Sequence, residues 1–270
     1  MDYSRIVLLG IIQGITEFLP ISSSGHLILA PKVFGFEDQG LALDAMLHLA
    51  SLLAIIIFFR RDLLKLLVAF LDPKGDKTEK KLAWSIVAAT IPAGIAGLAW
   101  GDAIEHQLRS STFVACNLIF WSLVFLAADR MAPKNSEKEG EIQRLSLGQA
   151  LFVGFAQAMA LLPGTSRSGV TIAAGLFCKL SQTAAARFSF LLGTPIILAA
   201  GLHKTVSIMR LPNEHLIYGG GQLAAGFLVT FVAGYYSIRL LLKIVGRVGL
   251  LPFIIYRILL AIVILVYFPR

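Results

Sequence analysis

The stretch "EFLPISSSGHLIL", Glu17–Leu29, differs in composition from the sequence on both sides of it. The flanking segments Ile6–Ile15 and Leu41–Phe59 are almost wholly apolar, whereas this stretch contains a carboxylate, a proline, three consecutive serines, a glycine and a histidine. Ionisable and helix-breaking residues are rare in apolar segments and tend to face an interior cavity. The stretch therefore predicts a break in the fold and a candidate functional site.

The composition indicates an integral membrane protein. Hydrophobic residues make up 57% of the 270 residues, charged residues only 15%, and the mean hydropathy is +0.78. A soluble domain has about 25% charged residues. The net charge of +8 is carried by predicted loops rather than by one face, which argues against nucleic acid as a partner. Cys116 and Cys178 have no disulfide or metal-site spacing, and we expect both to be small buried hydrophobic residues.

Six apolar stretches are long enough to cross the hydrocarbon core, which takes roughly 17–25 residues. These predicted spans are Leu41–Phe59, Leu82–Trp100, Thr112–Asp129, Ala185–His203, Ile217–Ile238 and Leu250–Phe268.

Two further apolar segments are interrupted. Ile6–Pro31 is broken at Pro20 and Gly25, and Leu147–Lys179 is broken by "LPGTSRSG" at Leu162–Gly169. Irregular backbone at membrane depth is tolerated only where protein or a water-filled cavity covers it. We therefore predict that both segments are re-entrant helix–loop–helix hairpins rather than ordinary spans.

The two hairpins also resemble each other. An offset of 144 residues aligns five identical pairs: Gly10 with Gly154, Gln13 with Gln157, Ser22 with Ser166, Ser24 with Ser168, and Gly25 with Gly169. Each hairpin is followed by three spans, so the single membrane domain 1–270 divides into halves 1–130 and 147–270, joined by a cytoplasmic loop 131–146. Because each half has an odd number of crossings, the second half has the opposite orientation in the membrane to the first. The predicted fold is an all-α integral membrane protein with six transmembrane helices and two re-entrant hairpins in an inverted-topology repeat.

The basic residues predict the orientation. One predicted side carries Arg60, Arg61, Lys65, Lys74, Lys77, Lys80, Lys81, Arg130, Lys134, Lys138, Arg144, Arg239, Lys243 and Arg247. By the positive-inside rule this side is cytoplasmic. Both termini and the mouth of the first hairpin then face outward, and the second hairpin enters from the cytoplasm with its tip against the first. The predicted site then opens to the outer side of the membrane.

The polar residues of the two hairpins suit a phosphate site. Arg167 offers a rigid fork of donors for phosphate oxygens. A carboxylate such as Glu17 would repel phosphate unless a divalent metal lies between them, and Gln13, one turn earlier, is a second candidate ligand. Either Ser23 or a metal-bound water would attack phosphorus, with His26 handling a proton. Residues at the broken helix ends would present backbone N–H groups to an anion: Ser22, Ser24, Gly25, Ser166, Ser168 and Gly169.

Each of these residues also has a simpler interpretation. Glu17 and Arg167 alone could be a structural ion pair, and the serines could cap a broken helix. His26 alone is typical of a satisfied buried histidine, which is the interpretation we prefer for His48. Tyr256 and Arg257 fit an interfacial anchor as well as a site role, and the acidic run 137–141 is interpreted as a solvated loop. The functional interpretation depends on Glu17, Ser23, His26 and Arg167 occurring together.

Two motifs, in order, resemble the signatures of a known family. "QGITEFLPISSSGH" (Gln13–His26) and "LLPGTSRSGVTIAAGL" (Leu161–Leu176) are similar to those of the bacterial undecaprenyl-diphosphatase family, BacA/UppP, and the similarity includes "PFIIYR" at Pro252–Arg257. The resemblance implies a Mg²⁺- or Ca²⁺-dependent membrane phosphatase that converts undecaprenyl diphosphate to undecaprenyl phosphate. It also implies recycling of the carrier for cell-wall synthesis, and bacitracin resistance.

The resemblance also implies roles for individual residues. Glu17 matches the essential motif glutamate, Ser23 the serine proposed as nucleophile, Arg167 the phosphate-binding arginine, and His26 the motif histidine. Thr171 falls where the family has a polar site residue. Gln13 departs from the pattern, since some members carry a second glutamate there. The departure removes one anionic ligand and leaves open whether Glu17 alone holds the metal, with the diphosphate supplying the other ligands.

Two other functions share features of this sequence. A type-2 phosphatidic-acid phosphatase would need a late histidine closely followed by an aspartate, and neither His203 nor His215 has that context. A transporter or lipid flippase on the same inverted repeat would bind a phosphate headgroup without chemistry. The expected partners are a polyprenyl diphosphate and membrane lipids.

Overall fold

The protein is described here from a computed structural model covering residues 2–36, 40–72, 74–108, 110–133, 140–209 and 218–268. Within these ranges the chain forms α-helices and two short 3-10 helices, 142–144 and 159–161, and no strand. The helices are α1 Tyr3–Thr16, α2 Ser23–Phe34, α3 Gly40–Phe58, α4 Arg60–Leu71, α5 Lys77–Gln107, α6 Ser111–Met131, α7 Leu147–Ala158, α8 Arg167–Phe177, α9 Gln182–Met209, α10 Gly220–Val248 and α11 Leu251–Tyr267.

Four helices are long and apolar enough to cross a membrane: α5, α6, α9 and α10. A fifth candidate arises if α3 and α4 are counted as one broken span. The predicted spans in 82–100, 112–129 and 185–203 lie within single helices, and residues 220–238 of the predicted 217–238 span lie within α10. Helices α1, α7 and α11 are apolar but shorter.

The segment between the first and second predicted spans, for which no helix was predicted, contains α4. The chain bends by 83° after Phe58 and continues as α4. Leu66 and Ala69 of this helix are buried, whereas Leu67 and Leu71 are 53% and 68% exposed. A helix with apolar side chains on its outer face, turned away from the span before it, is typical of the membrane interface.

Both interrupted segments are broken in the same way. Ser22 before α2 and Ser166 before α8 each have a φ of 75°, a left-handed conformation that is uncommon for residues other than glycine. Each side chain accepts a hydrogen bond from the amide three residues later, at 3.3 Å, and so caps its helix. The prediction that Gly25 forms part of the break is wrong, because Gly25 lies in the first turn of α2 and is the donor to that cap.

Small residues allow the broken segments to approach their neighbours closely. A Cβ at Gly14 of α1 would lie 2.7 Å from the carbonyl oxygen of Thr230 on α10. A Cβ at Gly154 of α7 would collide with the backbone of Ala89 on α5. Helices in lipid associate through such small-residue contacts because van der Waals packing replaces the hydrophobic effect. The first break is thereby fixed to α10, and α7 to α5.

Two smaller expectations are wrong. Cys116 is exposed on α6 and Cys178 is half-buried, so these free cysteines are not the fully buried hydrophobic residues that were expected. Glu141 is not simply solvated, because its carboxylate accepts from the amide and the hydroxyl of Ser181, at 2.5 and 2.8 Å, just before α9. The rest of the acidic run, residues 137–139, lies outside the described residues.

Candidate active site

Glu17 lies in the turn that follows α1, and its side chain is only 8% exposed. The Oε2 atom accepts a 2.7 Å hydrogen bond from Ser23 Oγ, across the break, and a 3.2 Å hydrogen bond from Nε2 of Gln13, one turn earlier. A buried carboxylate needs such donors, since transfer of an unpaired charge from water is very costly. The first break thus holds its carboxylate between two of its own side chains.

Arg167 brings the second broken segment to the same carboxylate. It is the first residue of α8, and its Nη2 donates to Glu17 Oε1 at 3.1 Å. Its Nη1 lies 3.5 Å from the carbonyl oxygen of Ser189 on α9. Gly193, one helical turn further along α9, faces the guanidinium, and a Cβ there would collide with it. The arginine therefore occupies a slot that a glycine leaves open.

The starts of α2 and α8 consequently meet at one group. Ser23 and Arg167 are the first helical residues of these two helices, and both donate to the Glu17 carboxylate. A helix N-terminus carries roughly half a positive charge and unpaired amide groups, which together favour anions. Two such ends and one guanidinium at one buried position form a site suited to a polyanion.

Six of the other predicted phosphate-binding residues lie at the starts of α2 and α8, whereas Thr171 contacts α9. Ser22 and Ser24 pair with each other at 3.3 Å beside the start of α2, and Ser166 and Ser168 pair in the same way at α8. Gly25 and Gly169 donate their amides to these caps. Thr171 is fully buried, and its hydroxyl lies 2.6 Å from that of Ser189, so it fixes α8 against α9.

His26 contacts a different partner from the other predicted catalytic residues. It lies three residues after Ser23 on α2, with Nδ1 2.8 Å from the carbonyl oxygen of Ser22. Its Nε2 lies 2.7 Å from the hydroxyl of Tyr256 on α11. The structure therefore brings Glu17, Ser23 and Arg167 into direct contact and places His26 beside them on the α2 side.

Arg257 is completely buried, so its interpretation as an interfacial anchor is wrong. Its guanidinium donates to carbonyl oxygens of both breaks, those of Pro20, Gly164 and Thr165, at 2.9 to 3.4 Å. It also donates to the Leu118 carbonyl and the Ser122 hydroxyl on α6, and lies 4.8 Å from the centre of the Phe125 ring. Arg257 thus ties the two breaks together from behind.

Several residues that position the site were missed or left unassigned. Asn117 on α6 donates to the Pro163 carbonyl and the Thr165 hydroxyl, both at 2.8 Å, and so supports the second break. An asparagine inside a predicted span was the available signal. His48 on α3, assigned no role, has its Nδ1 2.7 Å from the carbonyl oxygen of Asp44 in its own helix. Gly193 gave no signal, because only the fold places it against Arg167.

The donor set fits a hard divalent cation that is held only partly by the protein. Within the described residues no group of three or more His, Cys, Asp or Glu side chains is arranged to hold a metal ion. The chain offers the Glu17 carboxylate and the buried Oε1 of Gln13, which has no hydrogen-bond partner in the structure. Mg²⁺ commonly binds through one or two protein oxygens and takes its other ligands from phosphates and water. Gln13 Oε1 and Glu17 match that requirement.

The fold and the site define a polytopic α-helical membrane protein in which two broken segments meet at a buried carboxylate, arginine and serine. The family described as "Bacitracin resistance protein BacA" matches residues 6–263, and the chain belongs to this family.

Curated relatives cover nearly the whole chain. A protein named undecaprenyl-diphosphatase from Alteromonas mediterranea is 44% identical over 268 residues, covering 98% of both chains. Proteins of the same name from Hahella chejuensis and Chromohalobacter salexigens are each 43% identical, over 272 and 270 residues, and coverage is 98–99% in each case.

Proposed function

We propose that this protein is an undecaprenyl-diphosphatase, which hydrolyses undecaprenyl diphosphate to undecaprenyl phosphate and inorganic phosphate. Membership of the BacA family and the names of the relatives support the reaction. The observation that carries the proposal is the buried Glu17 carboxylate, which accepts from Ser23 of one broken segment and from Arg167 of the other. The reaction recycles the lipid carrier for cell-wall synthesis and removes the diphosphate form that bacitracin sequesters.

Arg167 and the two helix starts bind the diphosphate. The guanidinium exchanges the Glu17 carboxylate for phosphate oxygens, which suit its planar fork of donors. The amides at the starts of α2 and α8 add partial positive charge, and these donors strengthen their hold as charge develops on the transferred group. Ser22, Ser24, Gly25, Ser166, Ser168, Gly169 and Thr171 shape these two helix starts.

Ser23 is the best-placed nucleophile. Its hydroxyl proton is directed at Glu17 Oε2, at 2.7 Å, so the carboxylate can accept that proton as Oγ attacks the terminal phosphorus. Undecaprenyl phosphate leaves. Water then attacks the phosphoserine and gives a proton to His26 on the same face of α2, while Ser23 Oγ takes its proton back from Glu17 and inorganic phosphate is released. A bound Mg²⁺ or Ca²⁺, held by Glu17 and Gln13, would neutralise phosphate charge and let the diphosphate approach the carboxylate.

The membrane arrangement that we propose has six crossings and two re-entrant segments in an inverted repeat. The matching caps at Ser22 and Ser166 and the matching positions of α1–α2 and α7–α8 support the repeat. Basic residues predict the bacterial inner membrane orientation with the site open to the periplasmic side. The isoprenoid tail remains in lipid, so the diphosphate enters laterally between helices.

The test is phosphate release by the purified full chain in lipid nanodiscs supplied with undecaprenyl diphosphate and Mg²⁺. We expect turnover by the wild type, loss of turnover in Ser23→Ala, and wild-type turnover in Ser237→Ala, whose hydroxyl donates to the Ala233 carbonyl of its own helix. Transfer of the lipid between leaflets without phosphate release would support the flippase interpretation and overturn the proposal.

A further inference from the structure

The segment "PFIIYR" at Pro252–Arg257 was singled out in the sequence, and the proposed reaction gives it no role. Its last two residues lie next to the site on α11. Arg257 binds the backbone of both breaks, and Tyr256 contacts His26. These contacts make α11 a third element of the site, in addition to the two broken segments.

The hydrogen bonds of His26 determine which ring nitrogen carries the proton. Nδ1 lies 2.8 Å from the Ser22 carbonyl oxygen, and a carbonyl can only accept, so Nδ1 is the protonated nitrogen. In the neutral imidazole Nε2 is then the acceptor, and the Tyr256 hydroxyl donates to it at 2.7 Å. The two rings are nearly parallel, with an interplanar angle of 8°. Both nitrogens are thus fixed, one by α2 itself and the other by α11.

The neighbouring arginine fixes the position of Tyr256. Arg257 is fully buried and bonded to five oxygen atoms, so α11 cannot slide or rotate without breaking those contacts. The Tyr256 side chain is 42% exposed. An interfacial anchor would have its hydroxyl in the headgroup layer, whereas this hydroxyl is bonded to a site histidine.

We propose that Tyr256 is a positioning residue for the phosphatase reaction and acts through His26. Its hydroxyl holds the basic nitrogen of the imidazole in place until the reacting water replaces it as the hydrogen-bond donor. In metal sites, the hydrogen-bond partner of a histidine fixes its tautomer and ring orientation, and losing that partner typically costs about 10- to 100-fold in affinity or activity. The inference rests on the proposed function, in which His26 accepts a proton.

The first experiment compares Tyr256→Phe with wild type in nanodiscs. We expect kcat to fall by about tenfold or more, as for lost partners of catalytic groups, with KM changed less than about twofold. Tyr256→Trp keeps an aromatic interfacial residue without the hydroxyl at that position and should lose the same activity. Tyr267→Phe, a tyrosine 73% exposed on the same helix, is the control and should keep wild-type kcat. Wild-type kcat in Tyr256→Phe, or full activity in Tyr256→Trp, would overturn the proposal.

The second experiment asks whether Tyr256 acts through His26. In a His26→Gln background, adding Tyr256→Phe should change the residual kcat by less than about twofold, because coupled residues are not additive. If Tyr256→Phe lowers kcat by the same factor in the His26→Gln background as in the wild type, Tyr256 does not act through His26.

A readout on the resting protein covers the case in which His26→Gln has no measurable turnover. The ¹⁵N resonance of His26 Nε2 in selectively labelled protein should shift in Tyr256→Phe and stay unchanged in Tyr267→Phe. An unchanged resonance in Tyr256→Phe would reject the contact. Absence of phosphate release by the wild type would instead reject the proposed function, so the two failures are distinguishable.

Discussion

The guanidinium of Arg167 lies 3.1 Å from the carboxylate of Glu17, although the two residues are 150 positions apart in the chain. The arginine begins α8 and the glutamate follows α1, so this one contact joins the two broken segments. Both side chains are largely buried, at 13% and 8% exposure. Removing only one partner of a buried ion pair typically lowers the free energy of unfolding by about 3–5 kcal/mol, because the other charge is left buried and unpaired.

Arg167→Lys should not restore the activity lost in Arg167→Ala. Lysine keeps the charge but cannot present two parallel donors to a phosphate group. We expect each variant to lose about a hundredfold or more in kcat, as is typical when a charge-stabilising donor is removed. Phosphate release by folded, purified variants measures this. Near-wild-type turnover in Arg167→Lys would show that charge alone suffices.

Glu17→Gln should change the response to metal as well as the rate. The amide keeps an oxygen near Ser23 but removes the anionic ligand for a divalent cation. We expect lower kcat and a higher Mg²⁺ concentration for half-maximal activity. Phosphate release across a Mg²⁺ titration, with chelator-treated protein as the zero point, measures both. An unchanged Mg²⁺ dependence would remove Glu17 from the metal ligands.

Gly193→Ala should impair catalysis without unfolding the protein. The new Cβ would collide only with atoms of the Arg167 guanidinium, the mobile end of a side chain, so the arginine moves and the helix stays. Misplacement by about 1 Å can cost on the order of a hundredfold in rate. Gly94→Ala is the control, because a Cβ there meets nothing within 4 Å. The measurements are kcat and the thermal midpoint, and equal kcat in the two variants would contradict the prediction.

Arg257→Gln should reduce stability and activity together. It leaves the carbonyls of Pro20, Gly164 and Thr165 without their donor, and each unsatisfied buried group costs about 1–3 kcal/mol. We expect a thermal midpoint several degrees lower and weaker activity, with partial recovery in Arg257→Lys. Arg239→Gln, at an exposed arginine, is the matched control. Wild-type stability in Arg257→Gln would show that the two broken segments are stable without the hydrogen bonds from Arg257.

Ser166→Gly should be milder than Ser166→Ala. Alanine loses the cap on Gly169 and keeps the unfavourable φ of 75°, whereas glycine loses the cap but adopts that φ freely. Replacing a capping serine by alanine costs about 0.5–2 kcal/mol and by glycine a few tenths. Thermal unfolding of both variants tests the order, and the reverse order would mean that the positive φ carries no strain.

The sequence alone indicated that the protein lies in a membrane, where its apolar segments are interrupted, and which chemical class of ligand the site suits. An apolar run of about 20 residues is long enough to cross the membrane, and polar residues that interrupt such a run must be shielded from lipid by protein or water. Composition and spacing therefore identified the two broken segments and the polar residues Glu17, Ser23 and Arg167 within them. The two motifs then named the family. These are local properties of the chain, which one-dimensional patterns record.

Tertiary structure decided which of these residues touch and what supports them. Gly25 lies in α2, where its amide donates to the Ser22 side chain that caps the helix, and α4 begins where the chain bends by 83° after α3. The roles of Gly193, Tyr256 and Arg257 depend on contacts with residues far away in sequence. Such contacts are set by how helices pack against each other, and neither hydropathy nor residue spacing along a single segment encodes that geometry.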